Sequence, residues 1–206
     1  SVVIHKDIAG RLKADAGSNG EIRTDLSYRD NGRGPDIREV FELDAAGTPS
    51  RYTAEGKSTF GAEIRESFTV DGTRLRWQSR VDRGDQAIAP GTLFVPLEGT
   101  VAYTGELVRA LLRREGGSAP VLAGNKLVAE QVGKLVVEGP GGRVPLVLIA
   151  MTGIDASPWY FWHRDDSSKA FFAIAWPGFA IIPKGYEANV EALVQGGLRA
   201  QDERLV

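Results

Sequence analysis

The chain has 206 residues, carries 25 Lys and Arg against 27 Asp and Glu, and contains no cysteine. The absence of cysteine excludes disulfides and thiolate metal sites, and the interspersed charges form no basic patch of the kind that binds nucleic acid. No run of about 18 apolar residues exists, so the sequence also predicts no membrane span.

Short strands separated by turn residues dominate the first half of the chain. Apolar and polar side chains alternate in the predicted strands, which cover residues 21–29, 37–43, 51–56, 64–70 and 73–79. Asp71-Gly72 is a two-residue connection that suits the twist of antiparallel strands. The regular spacing of strands and turns indicates an antiparallel meander. Ser1–Ile4 is already strand-like, so we expect the chain to be a mature or cut-out segment of a longer protein.

The second half mixes helices and strands. Residues 101–114 have helical spacing, and Gly116-Gly117 ends this central helix. Further strands are predicted at 127–138, 144–151, 159–163 and 170–176. A closing helix runs from Tyr186 to about Ala200, and we expect it to fray near Gly196-Gly197.

These elements predict a mainly β protein with two helices. The expected architecture is a curved antiparallel meander sheet that forms a half-open barrel, closed by the central helix and the C-terminal helix. We expect a single domain over residues 1–206. A weak internal boundary lies near 115–120, but each side of it alone offers an incomplete sheet.

Two glutamates occupy positions where the strand pattern calls for apolar side chains. Glu39 shares a strand face with Ile37 and Phe41, and Glu66 shares one with Ile64 and Phe68. Because strand side chains alternate between faces, both carboxylates are predicted to point into the interior of one curved sheet. A carboxylate there is costly unless it is paired, hydrogen-bonded or wetted by a cavity.

Three interpretations of the glutamates stay open on sequence grounds. In the first, Glu39 and Glu66 form a buried ionic cluster with Arg29, Arg33 or Lys57, which gives an inward-facing polar cluster with a structural role. In the second, they line a wet ligand cavity on the concave face. In the third, a bulge shifts the register and turns them outward. A pair of acids acting in hydrolysis is conceivable, but no other residue indicates a substrate.

The aromatic run Trp159-Tyr160-Phe161-Trp162 alternates faces on its strand. One pair of these side chains must therefore point away from the principal core. A second layer over the sheet would bury that pair. If the pair were exposed, Tyr160 and Trp162 would form an aromatic docking surface.

No catalytic or cofactor motif is present. The two histidines, His5 and His163, have no metal-ligand spacing, and the chain has no G-x-S-x-G nucleophile motif. The glycine-rich segments Gly32–Gly34 and Gly139–Gly142 connect strands rather than opening a helix, so they predict hairpins and not phosphate loops. The sequence predicts no metal and no cofactor.

Several segments carry a resemblance to a known family. Tyr28–Asp36, Gly56–Gly61, Glu66-Ser67-Phe68, Pro158–Trp162 and Trp176-Pro177-Gly178 resemble the N-terminal extension that precedes the catalytic barrel in secreted bacterial proteins of the amidohydrolase family. The family's histidine ligands lie in the barrel and have no counterpart here, so no catalytic residue is carried over.

The resemblance implies a non-catalytic accessory domain in a periplasmic or secreted protein. Such a domain would pack on a catalytic barrel in the same polypeptide or shape access to it. The alternative is an independent periplasmic module that binds a lipid or other apolar ligand in the concave face of the half-barrel. A weaker similarity to the half-open barrels of periplasmic lipoprotein carriers, at the level of fold only, suggests this second function.

Overall fold

Fourteen antiparallel strands form one sheet in the computed structural model, which describes residues 1–17, 20–122 and 125–204. The strands are β1 (Val2–Ile4), β2 (Asp7–Ala16), β3 (Glu21–Tyr28), β4 (Asp36–Leu43), β5 (Pro49–Lys57), β6 (Glu63–Asp71), β7 (Arg74–Gln78), β8 (Arg83–Ala87), β9 (Ser118–Pro120), β10 (Lys126–Gly139), β11 (Gly142–Thr152), β12 (Trp159–Arg164), β13 (Phe171–Trp176) and β14 (Phe179–Ile181). Two α-helices, α1 (Val101–Leu112) and α2 (Val190–Arg204), and short 3-10 turns at Glu115–Gly117 and Glu187–Asn189 complete the described elements.

The sheet consists of two meanders joined by the first strand. In the first meander, β2 to β8 lie side by side in chain order, and in the second, β9 to β14 do the same. Strand β1 pairs with β2 on one side and with β14 on the other, where Val3 lies opposite Ala180. The sheet stays open, with β8 and β9 at its two ends. The predicted half-open antiparallel sheet with a central and a C-terminal helix is confirmed.

Helix α1 fills the space that the two meanders enclose. It begins after Thr100, whose side chain accepts a hydrogen bond from the backbone N–H of Ala102, as expected of an N-cap residue. Tyr103, Leu107 and Leu111 are fully buried in one core with apolar residues from both meanders. The ring of Tyr103 makes edge contacts with three aromatic rings of the first meander, those of Phe41, Tyr52 and Phe68.

Helix α2 covers the opposite face of the second meander and builds a second core there. Trp162, Phe172 and Leu193 are buried in it. The second meander is therefore packed on both faces, which explains why Leu146–Met151 of β11 is an unbroken buried run. The helix is continuous from Val190 to Arg204, so the predicted fraying near Gly196-Gly197 is wrong. Among the described residues, no helix has the length and apolar character needed to cross a membrane.

Candidate functional site

Glu39 is a buried hydrogen-bond acceptor for four donors. Its side chain is 1% exposed. The hydroxyls of Thr24 and Thr100 each donate to Oε2 at 2.6 Å, and the Tyr52 hydroxyl donates to Oε1 at 3.0 Å. The backbone N–H of Thr100 also donates to Oε1. Burial raises the pKa of Glu39 above its usual value, and these hydrogen bonds act in the opposite direction.

Glu66, on β6, accepts hydrogen bonds from the same segment before α1 that Glu39 contacts. Its side chain is 4% exposed, and its carboxylate accepts the backbone N–H groups of Leu97 at 2.9 Å and Glu98 at 3.0 Å. Burial raises the pKa of Glu66 as well, while the two backbone donors lower it. Glu39 and Glu66 share one cross-strand row, because each lies opposite Ala54 of β5.

The two carboxylates therefore hold the segment Leu97–Thr100 against the sheet. This segment leads into α1, so the glutamates position the helix that fills the concave side. They face inward from near-neighbouring strands, and the register shift between β4 and β5 falls at Glu42/Leu43, beyond Glu39. Donors of the fold itself bind the oxygens of both carboxylates, an arrangement that favours a structural role over a wet ligand cavity.

The basic residues predicted to neutralise the glutamates lie elsewhere. Arg29 is exposed and pairs with Asp36, its Nη2 lying 2.5 Å from Oδ2. Lys57 is exposed on the outward face of β5, where it is in register with Asp36 and Glu63. Arg33 is exposed at the hairpin between β3 and β4. The predicted cluster of Glu39, Glu66, Arg29, Arg33 and Lys57 thus does not form, because strand alternation and the hairpin place the cations away from the core face.

The predicted aromatic surface is also not exposed. Trp162 is 1% exposed, and Tyr160 is half-buried and packs against the same second core. Helix α2 supplies the second layer that covers them. The exposed aromatic of this strand is instead Trp159, whose indole N–H donates to Asp155 at 2.7 Å.

His163 is fully buried between α1 and the second meander. Its Nδ1 lies 2.8 Å from the carbonyl oxygen of Lys169 and so carries the proton, and its Nε2 has no hydrogen-bond partner among the described residues. Burial lowers the pKa of His163 to about 4. Within residues 1–17, 20–122 and 125–204, no three His, Asp or Glu side chains converge as metal ligands.

The outward face of the first meander carries rows of alternating charge. One row runs across five strands in register and consists of Lys13, Asp25, Arg38, Glu55 and Arg65. Four of them, Asp25, Arg38, Glu55 and Arg65, line part of an open groove of about 1190 Å³. Because opposite charges alternate, the face has no single-sign field that would attract a charged partner.

Four hairpin ends meet at one edge of the sheet and enclose a crevice of about 460 Å³, which we call the hairpin crevice. It is lined by Ile4, His5, Tyr28, Asp30, Asn31, Arg33, Thr59, Phe60, Trp176, Pro177, Gly178 and Phe179. Phe60 is 84% exposed and Trp176 is 49% exposed. Three hairpins of the first half of the chain and one of the second line the crevice, and their meeting was not predicted from the sequence.

Three aromatic side chains of the crevice, those of Tyr28, Trp176 and Phe179, form one packed group. The rings of Trp176 and Phe179 are stacked, with centroids 4.4 Å apart, and the ring of Tyr28 meets Phe179 edge-on at 5.6 Å. Apolar surface next to a few polar groups is typical of binding sites. Within the part of the chain that the structure describes, the hairpin crevice combines exposed aromatic rings with polar side chains. We therefore take it as the candidate functional site.

No protein-family model matches the chain, and no curated protein is significantly similar to it. A solved structure that matches is the crystal structure of a DUF1089 family protein from Pseudomonas aeruginosa. It is 12% identical, the match covers 81% of this chain and 89% of that chain, and the TM-score is 0.44. A similarity at this level carries no argument about function.

Proposed function

We propose that this chain is a non-catalytic accessory domain that binds another polypeptide segment at the hairpin crevice. The crevice is the observation that carries the proposal, because large aromatic side chains such as Phe60 and Trp176 are left exposed there beside polar groups. The buried glutamates support it indirectly, since their oxygens are occupied by donors of the fold itself.

The resemblance to the amidohydrolase extension supplies the setting for this proposal. The partner would be a catalytic barrel in the same polypeptide, and the domain would pack on it or shape access to it in a periplasmic or secreted protein. Binding of a lipid or other apolar ligand on the concave face is less well supported. The side chains of Tyr103, Leu107 and Leu111 already occupy the space between the meanders.

The test uses the full reading frame that encodes this chain. It is expressed intact, with residues 1–206 deleted, and with Phe60→Ala and Trp176→Ala combined. We expect the deletion and the double variant to lower both soluble yield and metal-dependent amide hydrolysis. Trp159→Ala removes an exposed tryptophan outside the crevice and is the matched control. Unchanged yield and hydrolysis after the deletion would contradict the accessory role, and a reading frame without a histidine-bearing barrel would contradict the amidohydrolase setting.

A further inference from the structure

We infer that the hairpin crevice binds an extended, proline-containing peptide in the polyproline II conformation. This inference rests on the proposed function, because it names the kind of polypeptide segment that the domain would hold. It is drawn from the aromatic wall of the crevice, from the donors on its rim and from the constrained backbone around it.

The aromatic wall suits flat, rigid apolar rings. Trp176 and Phe179 are stacked on each other, and Tyr28 supports Phe179 from the side. Phe60 lies on the hairpin between β5 and β6 and is almost fully exposed. Proline rings pack well on such aromatic surfaces, and grooves lined with aromatic side chains are the usual sites for polyproline II segments.

The polar rim combines three side chains that donate hydrogen bonds, those of Asn31, Arg33 and Trp176, with one carboxylate, that of Asp30. Arg33 contributes a guanidinium, and Trp176 contributes an indole N–H. Asn31 has an amide that already donates to Asp30 at 3.1 Å and has a second N–H. A polyproline II segment has no internal hydrogen bonds, and its prolines offer carbonyl acceptors without N–H donors. The partial negative charge of these carbonyls complements the three donors of the rim.

The crevice is held in shape by constrained hairpins. His5 and Lys6 connect β1 to β2 with φ angles of 48° and 81°, a left-handed conformation that such residues rarely adopt. The backbone N–H of His5 donates to the carbonyl oxygen of Gly178 at 3.0 Å and so ties two of the four hairpins together. Asp30 and Arg33 exchange backbone hydrogen bonds at 2.6 and 2.9 Å around Asn31-Gly32. A pre-formed site matches a ligand whose own conformation is already restricted.

The experiment titrates the 206-residue chain with a capped decaproline peptide and follows tryptophan fluorescence and calorimetric heat. A capped Gly-Ser decapeptide and a neutral disaccharide are titrated in parallel. We expect saturable binding of decaproline only. Trp176→Ala should weaken it at least tenfold and Arg33→Ala should weaken it measurably, while Trp159→Ala should leave it unchanged. Circular dichroism and the melting temperature verify that each variant is folded.

Two outcomes would overturn the inference. One is that decaproline does not bind, or binds equally well to Trp176→Ala. The other is that the disaccharide or the Gly-Ser peptide saturates the site instead. If decaproline does not bind but the combined Phe60→Ala and Trp176→Ala variant still impairs the full-length protein, the docking role stands and only the ligand class is rejected. Decaproline binding without any effect of the double variant in the full-length protein would reject the docking role in that protein.

Discussion

Glu39 joins two strands and the start of α1 through one carboxylate. Its donors come from β3, β5 and Thr100, which is 61 residues away along the chain. Removal of the carboxylate would leave each of these buried donors without its acceptor. A buried polar group without a hydrogen bond destabilises the fold by more than a formed hydrogen bond stabilises it. Loss of the Glu39 carboxylate would therefore destabilise the protein mainly through the buried donors that it leaves unpaired.

We expect Glu39→Gln to lower the free energy of unfolding by about 1–3 kcal/mol at neutral pH. The amide would direct an N–H₂ group at donors that need an acceptor. Urea titration measures the change. Glu55→Gln is the control, because Glu55 lies exposed on β5 and should change stability by less than about 0.5 kcal/mol. Equal effects of the two variants would contradict the structural role of Glu39.

His163 should make stability depend on pH in a defined window. Its pKa is about 4 in the folded protein against 6.5 for an ordinary histidine, so the unfolded chain takes up the proton first as the pH falls. The stability that neutral His163 contributes is therefore complete above about pH 6.5 and is lost progressively towards pH 4, by roughly 3 kcal/mol in total.

Replacement of His163 by Phe tests this origin of the pH dependence. The variant should show a shallower fall in urea midpoint than the wild type between pH 6.5 and 4, because the phenyl ring takes up no proton in either state. A wild-type slope in His163→Phe would show that other groups cause it.

At the scale of elements, the position of α1 depends on the short segment Leu97–Thr100 that precedes it. Glu66 on β6 accepts the N–H groups of Leu97 and Glu98, and Glu39 accepts that of Thr100. The sheet thus supplies the acceptors for the backbone that enters the helix. Buried backbone donors need such partners, so the two carboxylates and the helix position are coupled.

Removing the Glu66 carboxylate should loosen this segment selectively. In Glu66→Ala we expect the amides of Leu97 and Glu98 to exchange with solvent at least tenfold faster, because their acceptor is gone. Hydrogen exchange measured by NMR gives the rates. Glu63→Ala changes an exposed residue on the same strand and should leave them unaltered. Unchanged exchange in Glu66→Ala would show that the segment is held by other contacts.

Two adjacent glycines in α2 should respond in opposite ways to alanine. A Cβ at position 196 would lie 2.8 Å from Cζ2 of Trp162, whereas one at position 197 would approach nothing closer than the carbonyl oxygen of Ala175 at 3.9 Å. We expect Gly196→Ala to destabilise the protein by about 1–3 kcal/mol through overpacking. Gly197→Ala should stabilise it by about 0.5–1 kcal/mol, since alanine favours the helix. Thermal unfolding measures both, and a stabilising Gly196→Ala would mean that α2 does not sit closely on Trp162.

On the scale of the whole molecule, β1 makes the two meanders one sheet. It pairs with β2 and β14, and its side chains reach both cores, Val2 the first and Val3 the second. Helix α1 adds a second connection, because both meanders bury residues against it. These contacts couple the halves on either side of the predicted weak boundary near residues 115–120.

The coupling predicts one cooperative unfolding transition. Trp77 lies on β7 in the first meander and Trp162 on β12 in the second. Two variants each retain one of these tryptophans, with the others replaced by Phe. Their denaturant midpoints by fluorescence should be the same once any difference in overall stability, measured by circular dichroism, is corrected for. Two separated midpoints would divide the chain into independent units and contradict the single-domain prediction.

Local pattern predicted much of the fold. Strands β3 to β7 and helix α1 were predicted near their observed bounds, because each buries one face and so shows its period in the sequence. Strands β2 and β8 were not predicted, because most of their side chains are exposed and no apolar alternation marks them. Helix α2 was predicted, but its continuity through Gly196-Gly197 depends on the fit over Trp162, which no local signal reveals.

For the site, the sequence by itself determined that Glu39 and Glu66 share a strand face with apolar residues, because side-chain alternation is a property of the strand alone. That they face inward was a prediction from this pattern. Only the tertiary structure decided what they meet there: backbone and hydroxyl donors that lie 13 to 61 residues away, rather than the nearby cations. It also decided that the β1–β2 turn, two further hairpins of the first half and one of the second close around a common crevice. Which hairpins lie together follows from the order of strands in the sheet. Long-range strand pairing and core packing set that order, and neither produces a periodic pattern in the sequence.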